Sequence, residues 1–204
     1  MVPTVTIILV YGNSLHQSKK QVILEAWLKK FFHSVRWLLL IATIIIILDQ
    51  ISKYLVRNYL AFGEVWSPWD WLMPYARLIH INNTGAAFGM FKNGNPVFMV
   101  LAAVVSVAIV YYYPRIPTSE KVIRFSLSLQ LAGALGNLID RIAFGKVTDF
   151  VSVGNFAIFN IADASITVGV IILLIAVWWQ DRNDKKKLAA ASSQDPVNES
   201  GSEH

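Results

Sequence analysis

Four stretches of the chain are apolar for long enough to cross a bilayer, at about residues 37–56, 96–113, 122–142 and 159–179, with polar connections between them. At 1.5 Å of rise per residue, ~20 residues of helix span the ~30 Å of hydrocarbon, so each stretch predicts one transmembrane helix. The first is dominated by Leu and Ile yet contains Asp49, Gln50 and Lys53. The second is free of Asp, Glu, Lys and Arg, and ends in Tyr111, Tyr112, Tyr113 and Pro114, an interfacial aromatic belt followed by a helix stop. The third is less oily, carrying Arg124, Gln130, Asn137, Asp140 and Arg141, and the fourth has Asp163 near its start and Trp178–Trp179 at its end. The pattern predicts an all-α integral membrane protein of four spans. Ahead of the first span, residues 21–35 place Val22, Leu24, Trp27, Leu28, Phe31 and Phe32 at helical spacing among Lys29, Lys30 and His33. That suits an amphipathic helix on the inner surface, or a basic flank of the span itself. Residues 1–10 are apolar but short and lack a preceding basic region, so they make a poor signal peptide. Three segments follow: 1–35 as extension and basic flank, 36–180 as the membrane domain, and 181–204 as a polar tail expected to be disordered.

Composition agrees with a bilayer as solvent: of 204 residues 55% are hydrophobic and 15% charged. The net charge of +5 gathers beside the spans, as orientation signals do, and no nucleic-acid-binding pattern accompanies it. Lys19, Lys20, Lys29, Lys30 and Arg36 precede the first span; Arg182, Lys185, Lys186 and Lys187 follow the fourth. Both termini are therefore expected in the cytoplasm, with the 57–95 and 143–158 loops facing outward. The absence of cysteine excludes disulfides and thiol catalysis. Scattered His16, His33, His80 and His204 offer no metal-ligand spacing, so no metal or other cofactor is expected. Serine catalysis lacks support: for Ser52, Ser126, Ser128 and Ser165, His80 is the one histidine left as a candidate on the same membrane face.

The chemistry lies in the acids. Asp49, Asp140, Asp149 and Asp163 all fall in the outward halves of the spans or in the loop joining the third and fourth. A charge at mid-bilayer costs ~2.5–3.5 kcal/mol on insertion scales, so such residues are kept for pairing or function. Asp163 sits one turn into the fourth span, and Asp149 lies in the short loop whose two ends both return to the same interface, so they can meet. Two carboxylates sharing a site hold one proton between them, which suits amide hydrolysis: the ionised member takes a proton from water while the protonated one polarises the carbonyl. The competing reading makes Asp163 a helix-terminal charge and Asp149 a solvated loop acid. Asp49 and Lys53, spaced i,i+4, read as an internal ion pair. Asn137 and Asp140 share a helical face, and Arg141 either snorkels or binds a lipid phosphate. Asn83–Gly89, small residues around Phe88, permits close backbone approach, as a binding strand for an extended peptide or as a surface loop. A small transporter would also carry intramembrane carboxylates, but there is no internal repeat and the acids cluster on one side.

The blocks Asp49-Gln50-Ile51-Ser52-Lys53, Asn83-Thr84-Gly85-Ala86-Ala87-Phe88, Gly133-Ala134-Leu135-Gly136-Asn137-Leu138-Ile139-Asp140-Arg141, Val147-Thr148-Asp149-Phe150 and Phe159-Asn160-Ile161-Ala162-Asp163 resemble, in order, five signature blocks of the lipoprotein signal peptidase (signal peptidase II) family of bacterial membranes. The resemblance spans about residues 37–179. It implies a globomycin-sensitive aspartyl endopeptidase of the bacterial cytoplasmic membrane. Its substrates would be diacylglyceryl-modified prolipoproteins, cut immediately before the lipidated lipobox cysteine. Asp149 and Asp163 would be catalytic. Asn83, Gly85, Ala87, Phe88, Asn137, Arg141, Asn160 and Ala162 would line or support the substrate site, and Asp49, Lys53, Gly133 and Asp140 would hold the fold around it. It further implies four transmembrane helices with a small extracytoplasmic β-cradle and a short amphipathic helix between the first two. The expected partners are prolipoprotein and membrane lipid, with the chain a monomer.

Overall fold

The computed structural model describes residues 4–85 and 94–193, with side-chain surroundings for 21–85 and 94–190. Among the described residues, four α-helices, α1 (Thr4–Tyr59), α2 (Asn95–Tyr112), α3 (Lys121–Phe144) and α4 (Ile161–Ser193), and three strands, β1 (Val65–Trp66), β2 (Ala76–Asn83) and β3 (Val147–Val153), follow in the order α1-β1-β2-α2-α3-β3-α4. All four helices are long and apolar enough to cross a membrane, over Gln21–Tyr59, Asn95–Arg115, Lys121–Phe144 and Ile161–Ala190. The spans expected from the sequence lie inside these, except that the fourth helix begins at Ile161, because Phe159 is taken into a β-bridge with Val151.

One flank decides between two open readings and the other differs from expectation. The 21–35 segment is a flank of the span itself and not a separate surface helix; it continues into the first span, and α1 runs unbroken for 56 residues. No proline or glycine falls between residues 13 and 59 to break the ladder. At the other end α4 is helical to Ser193, so the polar segment after Trp179 continues the span rather than leaving it at once. An i,i+4 pair between Asp181 and Lys185, 2.7 Å apart, supports that extension. Residues 194–204 lie outside the described residues.

The third helix is the centre of the bundle. It packs against α1, α2 and α4, and it buries about three times as large a share of its apolar window as the other helices do. This accounts for its composition: a helix screened from lipid by its neighbours can carry Arg124, Asn137 and Asp140, all buried, whereas α1, α2 and α4 turn Leu, Ile and Val outward. Gly133 allows the closest crossing, since a Cβ there would lie 2.3 Å from the carbonyl oxygen of Ala162 on α4. At the end of the bundle where α3 begins, an apolar core of Val35, Leu38, Ala42, Ile109, Tyr113, Leu131 and Ala132 joins α1, α2 and α3. Arg124 tightens that junction, donating from Nη1 to the carbonyls of Tyr113 (3.2 Å) and Ile116 (2.8 Å) and from Nη2 to that of Ser34 (2.7 Å).

At the opposite end the strands form one antiparallel sheet, ordered β1-β2-β3. The cradle expected between the first two spans is therefore completed by a strand from the loop between the third and fourth. Between α1 and α2, the described residues contain one short helical element, the 3-10 turn Asp70–Leu72. Gly145, at φ +69°, caps α3 in the left-handed conformation, its N–H bonding the Arg141 carbonyl, and turns the chain directly into β3. Asp140 fixes the same turn from α3, its Oδ2 accepting the Thr148 N–H at 3.0 Å.

Candidate active site

The two acids singled out in the sequence meet because β3 folds back on itself. After Val153 the chain turns at Gly154 (φ +51°), and Phe159 returns to pair with Val151, its N–H and carbonyl both engaged with that residue. Asn160 follows as the N-cap of α4. Its Oδ1 accepts the Asp163 N–H at 2.9 Å while Asp163 Oδ2 accepts the Asn160 N–H at 3.2 Å, a reciprocal capping box with Asp at its third position. Asp163 thus does cap its helix, as the competing reading held. Its other oxygen, however, faces inward and accepts from Asn137 Nδ2 at 2.7 Å.

Asp149 is held from both sides. Asn160 Nδ2 donates to Oδ1 at 2.7 Å and Asn83 Nδ2 to Oδ2 at 2.9 Å. The second contact follows from register: Asn83 pairs with Val147 and Asp149 lies two residues on, so the two are diagonal neighbours on one face of the sheet. Asp149 is not a solvated loop acid, being 3% exposed. Burial raises its pKa to about 7, and the nearby charge of Asp163 pushes the same way; the amides of Asn83 and Asn160, and Lys53, oppose them.

Both acids line a cavity of about 490 Å³ together with Asn83, Gly85, Asn137 and Arg141. Its other walls are apolar, formed by Phe98 on α2, by 156–159 after β3 and by Ile166 and Val168 on α4. A larger cavity of about 780 Å³ near α1 and α2 is lined by no carboxylate, so chemistry rather than size marks the candidate site. Arg141 lies 5.4 Å from the Phe98 ring centroid, and its buried Nε has no partner among the described residues. Among those residues no group of three or more metal-ligating side chains occurs.

Behind the cavity lies a buried charge network. Lys53 Nζ sits 2.8 Å from Asp49 Oδ2, 3.5 Å from Asp140 Oδ2 and 2.9 Å from Asn137 Oδ1. Asp49 Oδ1 accepts the Ala162 N–H at 2.9 Å, anchoring the first turn of α4. Asn160 and Ala162 are fully buried and do not line the cavity; they connect this network to the acids. Ala87 and Phe88 lie outside the described residues. The sequence reading assigned no role to Gln50, Thr148 or Arg57. Gln50 Nε2 bridges Asp49, Asp140 and the Gly136 carbonyl at 3.1–3.2 Å. Arg57 donates to Thr148 Oγ1 at 3.0 Å. The available signal was helical spacing, since Arg57 lies one turn beyond Lys53 and so shares its face.

The family model described as signal peptidase (SPase) II matches residues 41–179, which include every element of this site. The chain belongs to the signal peptidase II family. It is accordingly an aspartic peptidase, a membrane hydrolase of lipoprotein processing. Similar relatives named lipoprotein signal peptidase occur in Moorella thermoacetica, 39% identical over 135 residues (66% of this chain, 88% of the relative), and Staphylococcus aureus strain JH9, 33% identical over 149 residues (71% and 88%). Two solved structures are also similar, each described as a bacterial membrane enzyme studied by the in meso method. One, at 2.3 Å resolution, has a TM-score of 0.68 and 31% identity, covering 73% of this chain and 92% of its own. The other, at 1.9 Å, has a TM-score of 0.63 and 32% identity, covering 70% and 93%. In signal peptidase II terms, the matched region takes in the second and third spans, most of the apolar part of the first and fourth, the sheet and both cavity acids, and leaves out the first forty residues and the end of α4.

Proposed function

We propose that this signal peptidase II cleaves the signal peptide from diacylglyceryl-modified prolipoproteins immediately before the lipidated cysteine, with Asp149 and Asp163 as its catalytic dyad. The observation that carries the proposal is the pair itself: two carboxylates in one apolar-walled cavity, tied together through the side chain and backbone of Asn160. Asp149, with its pKa raised to about 7, holds the shared proton and directs it at the scissile carbonyl oxygen. Asp163 takes a proton from water as the water oxygen bonds to the carbonyl carbon. The tetrahedral intermediate then collapses, a proton passes to the amide nitrogen, and the C–N bond breaks to give a signal-peptide carboxyl and a free amine on the cysteine. Neither step needs a nucleophilic side chain or a metal ion. Asn83, Gly85 and Arg141 on the cavity wall bind the extended substrate backbone, with Ala87 and Phe88 beside them in sequence.

The acids are at the extracytoplasmic end and both termini cytoplasmic, a reading supported by the basic residues flanking the first and fourth spans. A substrate whose lipid stays in the membrane would then present its cleavage site at the interface. The test is to incubate the purified protein with a diacylglyceryl-modified lipobox peptide, with and without globomycin, and follow released signal peptide by mass spectrometry. Cleavage before the cysteine, blocked by globomycin and absent in Asp149→Asn and Asp163→Asn, is expected. A properly inserted Asp149→Asn that still cuts, or cutting that ignores the lipid, overturns the proposal.

A further inference from the structure

The end of the bundle remote from the acids carries a third cavity, rich in basic side chains. Arg124 and Asn137 are thirteen residues apart on α3, about 20 Å along the helix, so this cavity is well separated from the candidate active site. It has a volume of about 750 Å³, and Lys30, His33 and Arg36 of α1 face Lys121 and Arg124 of α3 across it, with no Asp or Glu in its lining.

The charges there are unbalanced. The ion pairs among the described residues involve Lys53, Arg57, Lys185 and Lys187, and none reaches Lys30, Arg36, Lys121 or Arg124. Arg124 is 8% exposed and gives three of its five N–H donors to backbone carbonyls, which leaves its charge uncancelled. Two further features favour an anion. The first turn of α3 lines the cavity through Lys121 and Arg124, which brings the positive end of the helix dipole to it. Thr118 adds a hydroxyl to the lining. Trp37, Ile41 and Phe125 give the cavity an apolar wall, and Trp37 and Phe125 are exposed on the apolar outer surface of the helices.

We propose that this cavity binds the phosphate headgroup of an anionic phospholipid, with one acyl chain lying along Trp37, Ile41 and Phe125. Charge alone would accept a free phosphate. The apolar wall continuous with the lipid-facing surface is what a phospholipid fills and an inorganic ion leaves bare. Occupancy would clamp α1 to α3 at the end opposite the acids, where Arg124 already joins them.

Native mass spectrometry of the full chain released from detergent tests this. Phosphatidylglycerol is compared with phosphatidylcholine, and with phosphatidylglycerol challenged by excess inorganic phosphate at matched ionic strength. One phosphatidylglycerol retained per chain is expected, with phosphatidylcholine lost and inorganic phosphate failing to displace the lipid. The triple variant Lys30→Gln/Arg36→Gln/Lys121→Gln, all exposed positions, should retain phosphatidylglycerol on the order of 100-fold more weakly, from about fivefold per cation. The control Lys185→Gln/Lys186→Gln/Lys187→Gln removes the same charge from the end of α4 and should bind as the parent does. Equal retention of the two lipids, equal loss in both triple variants, an unaffected first triple variant, or displacement by inorganic phosphate would each overturn the proposal.

Discussion

Asn160 is the side chain through which the two acids are held together. Its amide donates to Asp149, its carbonyl oxygen accepts the Asp163 N–H, and its own N–H donates to Asp163. Asn160→Ala removes a helix cap, worth about 1 kcal/mol, and frees Asp149 on one side. A small misplacement of a reacting group costs about 100-fold in rate, so kcat for lipopeptide cleavage should fall by that order while the melting temperature in detergent moves little. A rate within threefold of the parent would remove Asn160 from this role. The Asp149 proton gives a second handle. Its pKa of about 7 rests first on burial and then on the Asp163 charge. The acid form therefore persists through mildly acidic pH and is lost above about 7, so cleavage should decline on the alkaline side. Asp163→Asn deletes the second cause and leaves the first. The Asp149 midpoint, followed by its carboxyl infrared band, should fall below 7 yet stay above the ordinary 3.8. Between those two values the folded chain holds a proton that the unfolded chain has released, so stability decreases as pH rises across that window. An unchanged midpoint would mean that the two acids do not sense each other.

At the scale of elements, the spans were legible because bilayer thickness imposes a run length that nothing else in the sequence imitates. The strand β3 was not. Its first four residues, Val147 to Phe150, are all buried, so both faces of the strand are covered there and the alternation that marks a half-exposed strand is missing. Missing the strand hid the device that aims Asp149, although the short loop did imply that the acids could meet. Likewise, Asp49 and Lys53 were readable as a pair from i,i+4 spacing, whereas the contact of Lys53 with Asn137, 84 residues away, had no local signal. The sequence left 21–35 open between a surface helix and a flank of the span because the change from mixed to apolar composition near residue 37 reads as a boundary, while the backbone meets no breaker there. Glycines separate packing from conformation at this scale. Gly133→Ala drives a Cβ into the Ala162 carbonyl, which α4 cannot yield without moving Asp163; about 1–3 kcal/mol of stability and most activity should be lost. Gly145→Ala meets nothing within 4 Å and carries only the strain of φ +69°, about 1 kcal/mol. Thermal melts and peptide cleavage on both variants distinguish the two, and equal losses would discount the close α3–α4 crossing.

Across the whole molecule, the structure is pinned at its two ends by different means. At the α3 start, one buried arginine collects three backbone carbonyls from two other segments, α1 and the turn between α2 and α3. At the acid end, Lys53 serves α1, α3 and, through Asp49 and Asn137, the first turn of α4. The apolar side chains of α1, α2 and α4 largely face lipid, where burial between helices gains little over burial in the bilayer, so such polar nodes carry an unusual share of specificity. Lys53 balances two carboxylates that are themselves fully buried. Removing it in Lys53→Met leaves Asp49 with no cation, and Asp140 with Arg57 at 3.7 Å. A buried pair broken from one side costs about 3–5 kcal/mol, because the stranded charge remains. Adding Asp49→Asn to that variant removes the stranded charge while retaining the Oδ1 that caps Ala162. The double variant should therefore be more stable than the single one, although it lacks one more native charge. Unfolding by graded detergent denaturation reads the difference directly. A single variant as stable as the parent, or a double variant weaker than the single by the full cost of a second lost group, would show that the node is incidental and that α1 is held to α3 and α4 by packing alone.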